Sequence, residues 1–204
     1  MIVFLLTIAY LLGSIPTSVW IGKLFYKIDV REFGSGNAGA TNTFRTLGIK
    51  AGIPVLIIDI LKGFLAVQLY NFYEDGGTEL KIALCIMALI GHIFPIFAQF
   101  RGGKGVATLL GGVLALTPEI VSFSLIIFIL ILLSTRYVSL SSLSAGISYP
   151  FFLFFAGHGS ENPVLMIFSV LVAILLIITH KKNIQRLLRG QENKIPSPLR
   201  FIKK

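Results

Sequence analysis

The sequence predicts an all-α, polytopic membrane protein of seven transmembrane helices, with the N-terminus outside and the C-terminus cytoplasmic. Three observations lead there. Of 204 residues, 55% are hydrophobic and only 13% charged, about half the charged share of an ordinary soluble domain. Too few polar side chains remain to cover a soluble globule. The apolar residues fall into seven stretches of helical membrane-spanning character, and the basic residues gather on one side of the arrangement those stretches make. The length fits a single domain, 1–204. The composition excludes disorder, and one Cys excludes a disulfide framework or a cysteine-rich zinc module.

The seven stretches are 2–25, 50–72, 80–100, 104–117, 118–135, 138–157 and 163–180. The first has no basic leader region and no small-residue cleavage site, so it reads as a retained helix and not a signal peptide. The fourth is short: at 1.5 Å per residue it reaches about 21 Å. It starts at Gly105 and ends before Thr117-Pro118-Glu119, a turn signal that separates it from the fifth. The sixth is rich in Ser and carries Pro150, which predicts a kink.

With seven spans, the segments 31–48, 101–105, 136–141 and 181–204 share a side with the C-terminus. Sixteen of the 18 Lys and Arg lie in or beside them, including Arg200, Lys203 and Lys204 in the tail; Lys81 lies opposite and Lys62 inside the second span. Cytoplasmic loops collect Lys and Arg, which sets the orientation. The acidic residues of the other side, Glu74, Asp75, Glu79, Glu119 and Glu161, carry little weight in that rule. The net charge of +9 is therefore a topological signal and an attraction to anionic headgroups, and no nucleic-acid partner is expected.

Three inner segments have more polar chemistry than a connector needs. The first, residues 31–46, contains GSGNAGATNTFR. Its Gly34-x-Gly36-x-x-Gly39, with Asp59 twenty residues on, formally matches a dinucleotide fingerprint. The match fails on context, since that fingerprint must follow a strand and open a helix. The physical content survives: glycines let a ligand approach the backbone, and successive N–H groups form an anion nest. Ser35, Thr41, Asn37 and Asn42 add side-chain donors, and Arg45 adds a planar fork suited to phosphate. The second, residues 91–108, holds Gly102-Gly103-Lys104-Gly105. It is not a Walker A loop, but small residues around Lys104 let a phosphate reach the ammonium; the alternative is a snorkelling lysine. In the third, residues 180–193, His180 and Asn183 share a helix face if the last span continues past the membrane. A shorter piece, 136–142, contributes Ser139 and Ser142.

Other chemistry is not legible. There is no G-x-S-x-G elbow or Ser-His-Asp order, and Phe97, Pro163 and Gln185 stand five residues after the three histidines, so no H-x-x-x-x-D acyltransferase pattern exists. His92 and His158 are weaker candidates, and three histidines without clustered carboxylates give no metal site. No metal and no cofactor are expected. Asp59 and Lys62, at i, i+3 inside the second span, read as a functional candidate or a structural pair, the latter favoured.

At these residues the chain resembles the acyl-phosphate-dependent glycerol-3-phosphate acyltransferases of bacteria, over nearly its whole length. GSGNAGATNTFR is similar to that family's first motif, GHIFPIFAQFRGGKGVAT to its second, and His180-x-x-Asn183-x-x-Arg186-Leu187 followed by Gly190-x-Glu192 to its third. The resemblance implies a multi-pass enzyme of the bacterial cytoplasmic (inner) membrane, its active site on the cytoplasmic side. It would move a fatty acyl group from acyl phosphate to the sn-1 hydroxyl of glycerol 3-phosphate, giving lysophosphatidate and inorganic phosphate, the first acylation of phospholipid synthesis. A phosphate acyltransferase that makes acyl phosphate is the implied partner. Carried onto this sequence, Ser35, Gly36, Asn37 and Arg45 bind phosphate, as does Lys104, with Gly102, Gly103 and Gly105 allowing close approach; Ser142 and Ser139 line the pocket, and His180 and Asn183 complete it. The rival reading of the same residues is a membrane transporter of organic phosphates.

Overall fold

In a computed structural model of the protein, residues 1–73 and 76–195 are described, the side chains of residues 159 and 160 excepted. Glu74, Asp75, Arg200, Lys203 and Lys204 lie outside the described residues. Among the described residues every regular element is helical. The chain falls into two compact units, Met1–Pro118 and Glu119–Lys204. The first contains α1 (Ile2–Gly13), α2 (Thr17–Tyr26), α3 (Ala40–Leu47), α4 (Ile49–Gln68), α5 (Thr78–Ile93) and α6 (Val106–Leu116). The second contains α7 (Pro118–Thr135, entering from the boundary), α8 (Val138–Phe155), α9 (His158–Glu161), α10 (Pro163–Thr179) and α11 (Lys181–Leu188).

Each of the seven apolar stretches holds helix. Four segments, Ile49–Phe72, Thr78–Ala98, Pro118–Thr135 and Val138–Phe155, are long and apolar enough to cross a membrane, and six are if the bent pairs α1–α2 and α10–α11 each count as one. The short fourth stretch is the 11-residue α6. Two details depart from the sequence reading. The first stretch is not one helix: it breaks and bends by 41° between Gly13 and Thr17, because Pro16 has no N–H to give and disfavours α geometry in the residue before it. The glycine-rich segment is a loop only as far as Gly39, and its second half is α3, so Thr41, Asn42 and Arg45 stand on a helix. Helix α8 continues through Pro150.

Helix α4 is the centre of the first unit, packing on α1, α2, α3, α5 and α6. Small residues sit where the helices cross: Gly63 of α4 faces the Thr108 carbonyl of α6, and Gly111 of α6 faces the Ile60 carbonyl of α4. Apolar burial gives little drive between helices in lipid, so close backbone approach of this kind supplies the contact. In the second unit α10 packs on α8, with Leu176 over Gly146, and Phe123 meets Phe152 at a ring separation of 5.6 Å.

The ion pair read from the sequence is real and structural. Lys62 Nζ lies 2.8 Å from Asp59 Oδ1, and the two residues are 4% and 1% exposed. Lys62 also donates to the Ile15 carbonyl at 2.9 Å, in the α1–α2 break. Thr17, the first residue of α2, donates its hydroxyl to Asp59 Oδ1 at 3.1 Å. The pair therefore fastens both sides of the break onto α4. Removing one partner leaves a buried charge unmatched: Lys62→Met is expected to destabilise by about 3–5 kcal/mol, read by unfolding in detergent. The double variant Asp59→Leu/Lys62→Met, with no orphan charge, should recover most of that loss; equal losses in both would mean the pair is not matched in the folded protein.

Candidate active site

The first-motif loop is shaped by Asn42. This residue is 1% exposed, and its amide is fully used. Nδ2 donates to the carbonyls of Val30 (2.8 Å) and Phe33 (3.1 Å), and Oδ1 accepts from Ser35 N (2.9 Å) and Ser35 Oγ (3.2 Å). Asn42 was expected to offer a donor to ligand; it instead holds the loop, because both hydrogens and both lone pairs are already engaged. The loop it folds has Gly34 and Gly36 at φ +62° and +72°, the left-handed conformation that favours glycine. Ser35 and Gly36 are exposed at its tip, Asn37 and Thr41 are half-buried, and Arg45 is exposed in the last turn of α3.

A second fastener joins this loop to the turn before the glycine–lysine loop. Arg31 Nη1 donates to the Ala98 carbonyl at 2.8 Å, while Nε and Nη2 donate to the two oxygens of Asp29 at 2.9 and 2.6 Å. Lys23 Nζ lies 3.2 Å from the same carboxylate. The Arg31 side-chain hydrogen bonds hold the Asp29 carboxyl well below the usual carboxylate range despite partial burial, and Asp29 in turn raises Arg31. The two loops then meet directly. A Cβ on Gly103 would stand 2.9 Å from the Ala38 carbonyl oxygen and would collide with His92 Nε2. Only a residue without a side chain fits there, and it brings Lys104, half-buried, beside the first motif. Gly102 and Gly105 flank it, Gly105 at φ +80°. An open cavity of about 360 Å³ lies at the end of α2, lined by Lys23, Lys27, Ile28, Asp29, Glu32 and Phe33, none of them a residue singled out for ligand from the sequence.

In the second unit the polar residues gather on Glu192. The segment after α11 returns to the α7–α8 turn, where Ile195 N donates to the Arg136 carbonyl at 2.9 Å. Glu192 Oε1 accepts from Ser139 Oγ (3.2 Å) and Asn183 Nδ2 (2.8 Å), and Oε2 accepts from Arg186 Nε (2.7 Å). Burial works to raise the Glu192 pKa and is outweighed by the hydrogen bonds from Arg186 and Asn183, so the carboxyl is held below its ordinary value. Ser142 lies one turn from Ser139 on α8, and both are buried.

His180 is not on a helix continuous with Asn183. It occupies the 62° bend between α10 and α11 and is 3% exposed. Its Nδ1 is 2.8 Å from the Leu176 carbonyl. A carbonyl only accepts, so Nδ1 of the neutral ring carries the hydrogen and Nε2 holds the lone pair. That is the tautomer a base acting through Nε2 requires. The sequence reading quoted Arg186 and Glu192 but gave neither a role. The signal was available as an acidic residue in an otherwise basic tail. Arg31 and Asp29 were missed because i, i+2 spacing in a connector advertises nothing.

A family model described as glycerol-3-phosphate acyltransferase matches residues 3–190. The chain is 46% identical over 189 residues to the glycerol-3-phosphate acyltransferase of Fusobacterium nucleatum, covering 93% of this chain and 95% of that one. It is 45% identical over 209 residues to the enzyme of that name from Enterococcus faecalis, covering 99% and 95%. The crystal structure of PlsY, an integral membrane glycerol 3-phosphate acyltransferase, in its glycerol 3-phosphate form matches with a TM-score of 0.87 at 40% identity, covering 100% of this chain and 99% of that one. Its lysophosphatidic acid form matches with a TM-score of 0.83, also at 40% identity, covering 96% of each.

Asp29 and Glu192 are both carboxylates with lowered pKa. Such groups add stability that is fully present above the unfolded-state value, about 4, and is lost as pH falls below it. Thermal stability should therefore not change between pH 5 and 8 through these two groups, and should drop below pH ~4. Asp29→Asn and Glu192→Gln should each lower stability at pH 7 and flatten the acid loss; a variant whose acid loss is as steep as wild type would remove that carboxylate from the account.

Proposed function

The chain belongs to the glycerol-3-phosphate acyltransferase family and is an integral membrane enzyme of phospholipid biosynthesis; from that premise we propose that its donor is acyl phosphate and its acceptor the sn-1 hydroxyl of glycerol 3-phosphate, with lysophosphatidate and inorganic phosphate as products. The observation that carries the reading is the contact of the two anion-type loops at Ala38 and Gly103, with Arg45 following one and Lys104 in the other. Both substrates carry phosphate. Bringing two such anions together is unfavourable in a weakly screened site unless fixed cations offset the repulsion. The solved relative has a glycerol 3-phosphate form and a lysophosphatidic acid form, which would be substrate and product of this reaction.

In this reading the Ser35 hydroxyl exchanges Asn42 for a phosphate oxygen, and the backbone at Gly36 and the side chains of Asn37, Thr41 and Arg45 hold the same group. Lys104 binds phosphate with Gly102, Gly103 and Gly105 leaving room for it. Ser139, Ser142 and Asn183 line the substrate pocket. Acyl phosphate is already activated, so the protein's part is positioning and charge stabilisation. The glycerol oxygen attacks the acyl carbonyl carbon, the bond from that carbon to the phosphate oxygen breaks, and phosphate leaves. The hydroxyl proton goes to a substrate phosphate or to Nε2 of His180. The His180 tautomer supports the second route, and near wild-type turnover in His180→Ala would leave the first. The chain works as one catalytic domain with seven spans, N-terminus outside, C-terminus cytoplasmic, in the bacterial inner membrane. The basic bias of one side supports that topology. Acyl phosphate is then received on the cytoplasmic side, from the phosphate acyltransferase that makes it.

The deciding experiment supplies purified protein in detergent with palmitoyl phosphate and glycerol 3-phosphate and follows lysophosphatidate by mass spectrometry. Product is expected with acyl phosphate and without any gradient, and not with acyl-CoA or acyl carrier protein as donor. Equal rates from acyl-CoA would overturn the donor assignment. Arg45→Ala and Lys104→Ala should each reduce the rate by at least ~10², the loss of about 2.7 kcal/mol of transition-state stabilisation.

A further inference from the structure

The buried polar cluster around the α4 ion pair ends on a side chain that the proposed chemistry does not use. His92, in the last turn of α5, is 5% exposed. Its Nδ1 lies 3.0 Å from Thr108 Oγ1, in the first turn of α6, and 3.8 Å from Asp59 Oδ1. The opposite edge of the ring meets the glycine–lysine loop, since a Cβ on Gly103 would collide with Nε2. The backbone of the same residue holds that loop as well. The His92 carbonyl accepts from Gly103 N at 3.1 Å, and the adjacent Ile93 carbonyl accepts from Gly102 N at 3.2 Å. One residue thus supports the loop from beneath with ring and carbonyl, and Thr108, tied to the ring, fixes the start of the helix into which the loop runs. Lys104 lies between these two fixed points.

We propose that His92 is a positioning residue for Lys104: its ring, locked between Thr108 Oγ1 and Gly103, sets the path of residues 102–105 and so the place from which the ammonium meets phosphate. An aliphatic side chain of similar size would avoid the cost of burying ring nitrogens. It would lack the partner for Thr108, and its branched end is thicker than a flat ring beneath a loop that admits no Cβ. Asp59, on the Nδ1 side of His92, is the residue that anchors Lys62 and Thr17. The loop is therefore referenced to the α1–α2 break and to α4 through side chains that never reach the substrate.

The inference rests on Lys104 binding phosphate, and the test separates the two. Initial rates with acyl phosphate and glycerol 3-phosphate are measured in detergent for wild type, His92→Leu, Lys104→Ala and the double variant. His92→Leu should lower kcat/KM for glycerol 3-phosphate by about ten- to a hundredfold, yet by less than about twofold when Lys104 is already alanine, because residues acting through one another are not additive. The same factor in both backgrounds, or wild-type rates in folded His92→Leu, overturns the proposal. Wild-type rates in Lys104→Ala overturn the phosphate assignment itself and this inference with it. If His92→Leu does not fold, Thr108→Val and Thr108→Ser give the same reading from the other side of the ring. The valine variant should show the loss and its non-additivity, and the serine variant, which keeps the hydroxyl, should restore the rate; equal rates for the two overturn the proposal.

Discussion

The first unit depends on a charge pair placed where charges are expensive. An isolated charge at the centre of a spanning helix costs about 2.5–3.5 kcal/mol on insertion scales, and a buried pair recovers its desolvation only when further hydrogen bonds complete it. Lys62 and Asp59 meet that condition with groups on either side of the break in the first span. The Ile15 carbonyl accepts from Lys62, and the Thr17 hydroxyl donates to Asp59. Proline at position 16 makes the break, the break turns polar groups toward α4, and the pair on α4 takes them. The chain of cause runs from a single residue type to the packing of α1, α2 and α4, and through Asp59 and His92 to a loop at the end of α5.

The parts of this architecture that were legible in the sequence follow from composition alone. Apolar stretches of spanning length became helices because lipid offers the backbone no other partner. Breaks at Gly105 and at Thr117-Pro118 survived because they are set by local chemistry. The bend at His180 was not legible: residues 177–182 contain neither Gly nor Pro to mark a break, and the return of Ile195 to Arg136 belongs to tertiary structure. The start of α3 was missed for a similar reason. Gly39-Ala40-Thr41-Asn42 has no side-chain cap and weak helix propensity, and α3 gains its place by packing on α4.

Polar motifs were easier to locate than to interpret. Asn42 and Asn37 looked alike in sequence, as donors in a glycine-rich segment. The fold separates them by burial: Asn42 spends its whole amide on Val30, Phe33 and Ser35, while Asn37 remains half-buried in the loop that Asn42 shapes. Arg31 and Arg45 differ in burial too, one half-buried against Asp29 and the Ala98 carbonyl and the other exposed in the last turn of α3. Residue type gives the chemistry available at a position. Whether that chemistry faces protein or ligand is decided by partners that are distant in sequence, and hence invisible in a single chain of letters.

This separation bears on how a small membrane protein can grip phosphate at all. Side chains such as Lys and Arg carry large rotamer entropy, and a cation that must be ordered anew at each encounter gives up part of its attraction in doing so. The structure reduces that cost by fixing the backbone on which the cations stand. Arg31 pins residues 29–31 to the 96–101 turn, Asn42 closes the loop at 33–36, and the Gly103–Ala38 contact leaves no room for one loop to slide past the other. In the second unit Glu192 does the same for Ser139, Asn183 and Arg186. Oriented groups that need no reorganisation stabilise developing charge most effectively. The carboxylates of Asp29 and Glu192 and the amide of Asn42 work in this way, through the groups they hold in place.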